Sequence, residues 1–295
     1  MIRLGTRGSA LALAQAQLVA ELIDGEVELV PITTSGDRGP AVRSEPGGDK
    51  ARFVKEIEEA LLAGEVDLAV HSAKDVPSEL PDGLSIVGVP ERADPRDALC
   101  GAASLDDLDE GAVVGTGSLR RRSQVLALRP DLDVRPLRGN VDTRLRKLGE
   151  GALDALVLAL AGLDRLGRAA EGTPLETLVP APGQGCLALE ARTSDDRVAV
   201  AAARITDRAA LTCLTAERAL VQALDASCHT PLGAHASLRD GALSLEAFVG
   251  LPDGGAWLRD TLDGEPGSPA ALGRGVAERM LAAGAADLLR QAEAS

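Results

Sequence analysis

The chain has 295 residues, of which 45% are hydrophobic, so it can build the buried cores of two or three domains. Its formal net charge of −14 argues against bulk affinity for nucleic acid or anionic membranes. The aromatic side chains are limited to Phe53, Phe248 and Trp257, which also argues against a surface that stacks nucleic-acid bases.

The charged residues and cysteines predict a cytoplasmic enzyme. Acidic residues outnumber basic ones by 45 to 31, and lysine is scarce, a composition that favours a cytoplasm with very high salt, where charge repulsion is screened. There is no signal peptide, no apolar run of membrane-span length and no C-x-x-C spacing, so we expect free thiols in a reduced compartment. Cys228, His229 and His235 lack a fourth ligand at a convincing spacing, so no metal site is predicted.

Strands and helices alternate through most of the chain, which predicts an α/β fold with parallel or mixed sheets. The apolar pattern predicts strands over 2–6, 27–34, 66–71, 84–90, 111–116 and 153–160, another strand beginning at 134, and helices over 10–23, 53–63 and 119–128 and from 141. In the first helix, Leu11, Ala14, Leu18 and Leu22 share one face.

Two turn-rich stretches divide this pattern into two lobes. Residues 90–95 and 180–185 are hinge candidates, and two crossings between α/β lobes would let the lobes close on a ligand. A third, smaller α/β domain follows, with a helix over 206–225, a hairpin with strands over 242–251 and 256–262, and a last helix over about 270–291. The predicted domains are 1–89 with 185–202, 90–184, and 203–295.

Two successive strand-to-helix turns carry arginines. Ser118 is a candidate N-cap before Arg120 and Arg121, and Asn140 plays the same part between Arg138 and Arg144. Cations in the first turn of a helix interact unfavourably with the helix dipole, and a bound anion offsets this effect. In open α/β sheets, ligands bind outside the carboxyl ends of the strands. Both turns are therefore interpreted as anion-binding sites, and a solvated arginine face is the alternative.

An acid and a cysteine are candidates for chemistry. Asp75 follows a strand end and could protonate a leaving amine or stabilise a cationic intermediate, with an ion pair with Lys74 or a turn cap as the alternative. Cys228 follows a helix end in a loop without adjacent apolar residues, so it is a candidate nucleophile or attachment point, with an inert side chain as the alternative. The remaining three cysteines are expected to be inert, and His71 to pack or cap locally.

The motifs along the chain resemble those of the porphobilinogen deaminase, or hydroxymethylbilane synthase, family. They occur in the family's order and span nearly the whole chain: Gly5-Thr-Arg7-Gly-Ser9, Phe53-Val-Lys55-Glu, His71-Ser72-Ala-Lys74-Asp75-Val-Pro77, Arg92-Ala-Asp-Pro-Arg96-Asp97, Gly115-Thr-Gly-Ser118-Leu-Arg120-Arg121, Leu137-Arg138-Gly-Asn-Val-Asp-Thr-Arg144, Ala161-Gly-Leu-Asp-Arg165, Pro182-Gly-Gln184-Gly and Thr215-Ala-Glu-Arg218.

The resemblance implies two periplasmic-binding-protein-like α/β lobes plus a small C-terminal α/β domain. It implies a monomeric cytoplasmic transferase of porphyrin, tetrapyrrole and heme biosynthesis. Such an enzyme joins four porphobilinogen molecules head to tail on a covalently attached dipyrromethane cofactor, with loss of ammonia. Water then releases hydroxymethylbilane, which passes to uroporphyrinogen III synthase.

The resemblance also implies roles for particular residues. Asp75 matches the catalytic carboxylate, and Cys228 matches the cysteine that holds the cofactor through a thioether. Further matches to cofactor-binding residues are Ser72, Lys74, Thr116, Ser118, Arg120, Arg121 and Arg138. Matches to substrate-binding residues are Arg7, Ser9, Gln15, Arg144 and Arg165, with Lys50 as a further candidate in a segment that departs from the family pattern.

Two other functions compete with this interpretation. A two-lobed, non-catalytic protein could use the same arginines to bind a carboxylate or phosphate ligand, but it would need neither Cys228 nor a third domain. A cysteine–histidine hydrolase could use Cys228 with His71 or His235 as its base, since the adjacent His229 points away on an extended chain.

Overall fold

The structure, a computed structural model, describes residues 1–36, 48–226 and 230–294, and of residues 48–52 only the backbone. The described chain forms two compact units. Unit 1 comprises Met1–Ala93 and Cys186–Leu214, and unit 2 comprises Asp94–Gly185 and Thr215–Ser295.

The strands and helices are numbered in chain order. The strands are β1 Ile2–Arg7, β2 Val27–Ile32, β3 Leu68–Ser72, β4 Leu84–Gly88, β5 Asp97–Cys100, β6 Val113–Thr116, β7 Asp133–Pro136, β8 Ala155–Ala159, β9 Thr173–Leu175, β10 Leu187–Arg192, β11 Leu232–Arg239, β12 Ala242–Gly250 and β13 Trp257–Gly264. The helices are α1 Ala10–Leu22, α2 Gly48–Leu62, α3 Leu119–Leu128, α4 Val141–Gly149, α5 Leu160–Arg165, α6 Asp196–Arg204, α7 Arg208–Ala223, α8 Pro269–Ala282 and α9 Ala285–Ala294.

Unit 1 is built on a five-stranded sheet with the order β2-β1-β3-β10-β4. Strand β1 pairs in parallel with β2 and β3, while β10 runs antiparallel between β3 and β4. One buried core includes Leu4, Leu68 and Leu189 from the sheet and Val19 from α1. The parallel strands therefore end at one edge of the sheet, where the loops after β1 and β3 lie.

The buried face of α1 is not the apolar face that the sequence indicates. Its buried residues are Ala12, Gln15, Ala16 and Val19, whereas Leu18 and Leu22 are exposed. The small alanines let the helix backbone approach the sheet closely, so they occupy the inner face although leucine is more hydrophobic. The face shared by Leu11, Ala14, Leu18 and Leu22 is therefore not the buried one.

The five-stranded sheet of unit 2 repeats the plan of unit 1. Its order is β7-β6-β8-β5-β9, with β6 parallel to β7 and β8, and β5 antiparallel to both of its neighbours. In each sheet four strands thus run in one direction, and one antiparallel strand lies between two of them. The predicted fold class, two α/β lobes of this type and a small C-terminal α/β domain, is confirmed.

The C-terminal part of unit 2 contains the antiparallel sheet β11-β12-β13 and helices α8 and α9. The predicted hairpin is present as β12 and β13. The single last helix was predicted wrongly, because Gly284 has a φ of 101° and separates α8 from α9. Strands β5, β9, β10 and β11 were not predicted. The boundaries of the three domains stay a prediction.

Candidate active site

The candidate acid of unit 1 stands on a turn that is anchored on both sides. Strand β3 ends at Ser72, and Ala73–Asp75 forms a short 3-10 turn; Ala73 within the turn and Val76 directly after it are buried. The backbone N–H of Ala73 donates to the carbonyl of Cys186 at 3.0 Å. Asp75 itself is half-buried, and across the described ranges its carboxylate has neither a hydrogen bond nor an ion pair. The proposed pairing with Lys74 is therefore not present, and the carboxylate retains its capacity to accept hydrogen bonds.

The loop after β1 lies beside this turn, because β1 pairs with β3. The buried side chain of Gln15 donates through Nε2 to Oγ of Ser72 at 2.9 Å. Ser9 caps α1, since its Oγ accepts from the N–H of Ala12. The guanidinium of Arg7 lies 4.3 Å from the ring centroid of Phe53, a cation–π contact. The structure thus brings Ser9, Gln15 and Ser72 to one sheet edge.

A second group of ionisable residues is buried deeper in unit 1. Nε2 of His71 lies 3.0 Å from Oε2 of Glu190, although the pair lacks hydrogen-bond geometry. Burial, together with the negative charge of Glu190, raises the pKa of the nearby Glu58 to about 7. His71 therefore packs against acids in the sheet interior.

In unit 2 the turn between β6 and α3 is organised by two hydroxyl groups. Oγ1 of Thr116 accepts from the N–H of Ser118 at 3.2 Å, and Oγ of Ser118 accepts from the N–H of Arg121 at 3.4 Å. The prediction that Ser118 is the N-cap is confirmed. Gly117 is required here, because a Cβ would lie 2.8 Å from the carbonyl oxygen of Leu137. A cavity of about 520 Å³ opens beside this turn.

The arginines of α3 do not form an exposed first turn. Arg120 and Arg121 are 4% and 5% exposed, and both donate to the completely buried carboxylate of Asp97. Nη1 of Arg120 lies 2.6 Å from Oδ2 of Asp97, and Nε of Arg121 lies 2.8 Å from Oδ1. Burial alone would raise the pKa of Asp97, but the two guanidinium groups outweigh it and hold the pKa well below its ordinary value.

Gln184 and two carbonyls complete this cluster. Nε2 of Gln184 donates to Oδ1 of Asp97 at 2.9 Å and to the carbonyl of Pro95 at 2.7 Å. Arg120 also donates to the carbonyl of Val179, and Arg121 to that of Val157. The cluster therefore joins the start of α3 to the segments that precede β5 and β10.

Other arginines of unit 2 are arranged differently. Nε of Arg144 donates to the carbonyl of Gly139, and burial and then the charge of Arg121 lower the pKa of Arg144. Arg138 is exposed, while Nη2 of Arg165 donates to the carbonyl of Gly185 at 2.7 Å. Asn140 stands at the N-cap of α4 but makes no side-chain cap hydrogen bond.

This arrangement leaves positive charge and hydrogen-bond donors for a ligand. Arg120 and Arg121 share one carboxylate, so the buried cluster carries one positive charge in excess. The two guanidinium groups carry ten N–H groups, of which six donate to the protein acceptors of the described chain. Nε of Arg120 is buried and without a partner there. An anion, and a carboxylate in particular, would neutralise the excess positive charge and accept a hydrogen bond from the unpartnered N–H group.

Comparison with known proteins decides the family. The family model described as porphobilinogen deaminase, dipyromethane cofactor binding domain, matches residues 2–200, and the model of the porphobilinogen deaminase C-terminal domain matches residues 211–282. The chain belongs to the porphobilinogen deaminase family. Its predicted class, a transferase of tetrapyrrole biosynthesis with a dipyrromethane cofactor, is confirmed.

Named relatives agree with this family over nearly the full chain. Porphobilinogen deaminase of Thiobacillus denitrificans is 46% identical over 298 residues, which cover 98% of this chain and 97% of the relative. Porphobilinogen deaminase of Thermus thermophilus is 46% identical over 302 residues, which cover 99% of each chain. Among solved structures, an ABC transporter from Parabacteroides distasonis has a TM-score of 0.43 at 14% identity over 76% of this chain and 74% of its own.

The residues of this porphobilinogen deaminase family member fit a dipyrromethane cofactor. Each pyrrole unit carries carboxylate side chains, and the excess charge and the unpartnered N–H of Arg120 suit such a polyanion. Cys228 lies outside the described residues, and so does the side chain of Lys50. None of the helices in the described ranges combines the length and apolar character needed to cross a bilayer.

Sequence reasoning missed two members of the arginine cluster. Asp97 and Gln184 occur in motifs that were used to identify the family, but neither residue was given a role. Their signals were weak, because Asp97 acts on arginines that follow about 23 positions later, and Gln184 on residues nearly 90 positions earlier. Arg122, the third arginine of the run, donates instead to the carbonyls of Val134 and Pro252.

Proposed function

We propose that this chain joins four porphobilinogen molecules head to tail on a dipyrromethane primer and releases hydroxymethylbilane. The observation that supports the proposal most directly is the buried excess of positive charge at Arg120 and Arg121. A growing chain of pyrroles is a polyanion, because each unit carries an acetate and a propionate. A guanidinium can pair with a carboxylate through two parallel hydrogen bonds, which suits this ligand better than lysine.

The basic residues of unit 2 would hold the carboxylates of the cofactor. In this assignment Arg120, Arg121 and Arg138 bind the cofactor with Thr116 and Ser118, while Arg144 and Arg165 bind incoming substrate. The lowered pKa of Arg144 agrees with a cationic site, since part of the shift is caused by Arg121. When bound, dipyrromethane supplies a pyrrole carbon that attacks the next substrate.

Asp75 is the proposed catalytic residue. Loss of ammonia from porphobilinogen leaves a cation, and a carboxylate close to the pyrrole N–H groups would stabilise that charge. Asp75 suits this role because no protein donor in the described chain occupies its carboxylate and because its turn is anchored by Ala73 and Val76. Ser72 and Lys74 on the same turn would bind the cofactor, with Arg7, Ser9 and Gln15 toward the substrate.

Cys228 is the proposed attachment point, through a thioether. The same proposal includes substrate binding by Lys50 and transfer of the product to uroporphyrinogen III synthase. It also includes a monomeric state, a cytoplasmic location and adaptation to high salt. The acidic composition supports the adaptation to salt, since the formal net charge is −14.

The intact mass of the purified chain, with a peptide map across Cys228, tests this function. We expect an added mass equal to two condensed pyrrole units, located on the peptide that contains Cys228. If the thiol is unmodified, incubation with porphobilinogen should load the chain and then yield hydroxymethylbilane. A chain that binds porphobilinogen without gaining mass or forming product would instead be the non-catalytic binding protein.

A further inference from the structure

We infer that Asp97 is a positioning residue for the arginine site, a role that rests on the proposed function. Asp97 is completely buried at the first position of β5, opposite Ala159, the last residue of β8. Because β5 is antiparallel to β8, its first residue lies at the sheet edge where the parallel strands end. An acid at this place lies within the ligand-binding edge of the sheet, not in its interior.

The geometry of Asp97 fixes two guanidinium groups at once. Oδ2 accepts from Nη1 of Arg120, while Oδ1 accepts from Nη2 of Arg120 at 3.1 Å and from Nε of Arg121 at 2.8 Å. Arg120 is thus held through Nη1 and Nη2, and Arg121 through Nε. Two long, flexible side chains are thereby confined to one arrangement before any ligand binds, which reduces the entropy cost of binding.

The charge balance allows Asp97 to position the arginines without consuming their charge. One carboxylate neutralises one of the two guanidinium groups, and the second charge remains for a ligand. Gln184 supports the same oxygen of Asp97 and is neutral, so it adds orientation and no charge. A buried acid in the place of Gln184 would cancel the excess positive charge and remove the attraction for a carboxylate.

Two opposite roles for Asp97 make different predictions. If Asp97 positions the arginines, Asp97→Asn leaves more positive charge but a looser site, and loading becomes weaker. If Asp97 instead competes with the ligand for the arginines, the same change makes loading tighter. The sign of the change in substrate dependence therefore distinguishes the two roles.

The experiment follows cofactor loading of the full chain produced without porphobilinogen. Intact mass, sampled over time at several porphobilinogen concentrations, gives the rate of loading and the concentration for half-maximal rate. For Asp97→Asn we expect the half-maximal concentration to rise at least about tenfold. Asp133→Asn, in the exposed pair with Arg135, makes the same chemical change in unit 2 and should stay within about twofold of wild type.

This readout separates positioning from a general loss of structure. Misfolding lowers the amount of loadable chain but leaves the half-maximal concentration of the folded fraction unchanged, and the cooperative thermal transition reports that fraction. An unchanged or lower half-maximal concentration in folded Asp97→Asn would overturn the inference. If that variant does not fold, Gln184→Met decides, because it removes the support of Asp97 at similar volume: a rise in half-maximal concentration supports the inference, and a wild-type value overturns it.

The outcome is distinguishable from failure of the proposed function. A wild-type chain that never gains mass from porphobilinogen would contradict the function itself. A wild-type chain that loads normally, beside an Asp97→Asn chain that loads equally well, would contradict only the positioning role.

Discussion

The two five-stranded sheets share one strand plan but place their buried acids at different depths. In unit 2, Asp97 is the first residue of the inserted antiparallel strand and lies opposite the end of β8. In unit 1, Glu190 is the fourth residue of the corresponding strand and lies opposite Ala69, the second residue of β3. The same strand order therefore places Asp97 at the edge of the sheet where the parallel strands end and Glu190 in the interior of the sheet.

The partners of the two acids differ accordingly. Asp97 is matched by two permanent cations, which keep it ionised and leave charge for a ligand. Glu190 faces His71 and contributes to the raised pKa of Glu58, so Glu58 in this interior group can change protonation near neutral pH. Strand order thus fixes where a site can form, whereas the depth of a single acid decides what the site does.

The largest expected effect concerns the acid at the edge of unit 1. Asp75→Asn removes charge without volume, and we expect turnover of the loaded enzyme to fall at least about 100-fold. The thermal transition should not change, because the carboxylate of Asp75 contributes no described hydrogen bond or ion pair. Glu79→Gln, an exposed acid on the same segment, is the control. Near-normal turnover of Asp75→Asn would exclude Asp75 as the key carboxylate.

Removing a buried arginine should cost more folding stability than removing the exposed one. Arg120→Leu leaves Asp97 with a single guanidinium in a buried site, and we expect a loss of about 3 kcal/mol in the free energy of unfolding together with impaired loading. Arg138→Leu, the same change at an exposed position, should alter that free energy by less than about 0.5 kcal/mol while still slowing loading. Chemical denaturation and intact mass measure the two quantities. Equal stability losses in both variants would contradict the comparison.

The interior group of unit 1 should make stability depend on pH. The pKa of Glu58 is raised to about 7 in the folded chain, so the folded state binds its proton more tightly than the unfolded state does. Its stabilising contribution is complete below the unfolded pKa of about 4.3 and is lost as the pH rises toward 7, by up to about 3 kcal/mol. Denaturation of wild type and Glu58→Gln across this range measures it. A variant whose pH profile equals that of wild type would show that Glu58 is not the responsible group.

The elements that the sequence predicted well are those with local signals. The strand-to-helix turn at Ser118 was predicted because its cap and its apolar strand lie within a few residues. Strand β10 was missed because its position depends on β3, more than 100 residues earlier in the chain. Likewise, the arginine turn was identified as cationic, but its internal partner Asp97 has no local signature. Gly284 was overlooked in an alanine-rich stretch that otherwise resembles one continuous helix.

The late position of β10 has a consequence for synthesis of the protein. Among the described strands of unit 1, β4 pairs with β10 alone, so its edge and that of β3 stay uncovered until Leu187–Arg192 has left the ribosome. At about 5–20 residues per second this interval lasts several seconds. All strands of the second five-stranded sheet lie between Asp97 and Leu175, so that sheet can close first. The N-terminal lobe, although made first, is therefore completed second, and protection of its open edges by chaperones would matter most during this interval.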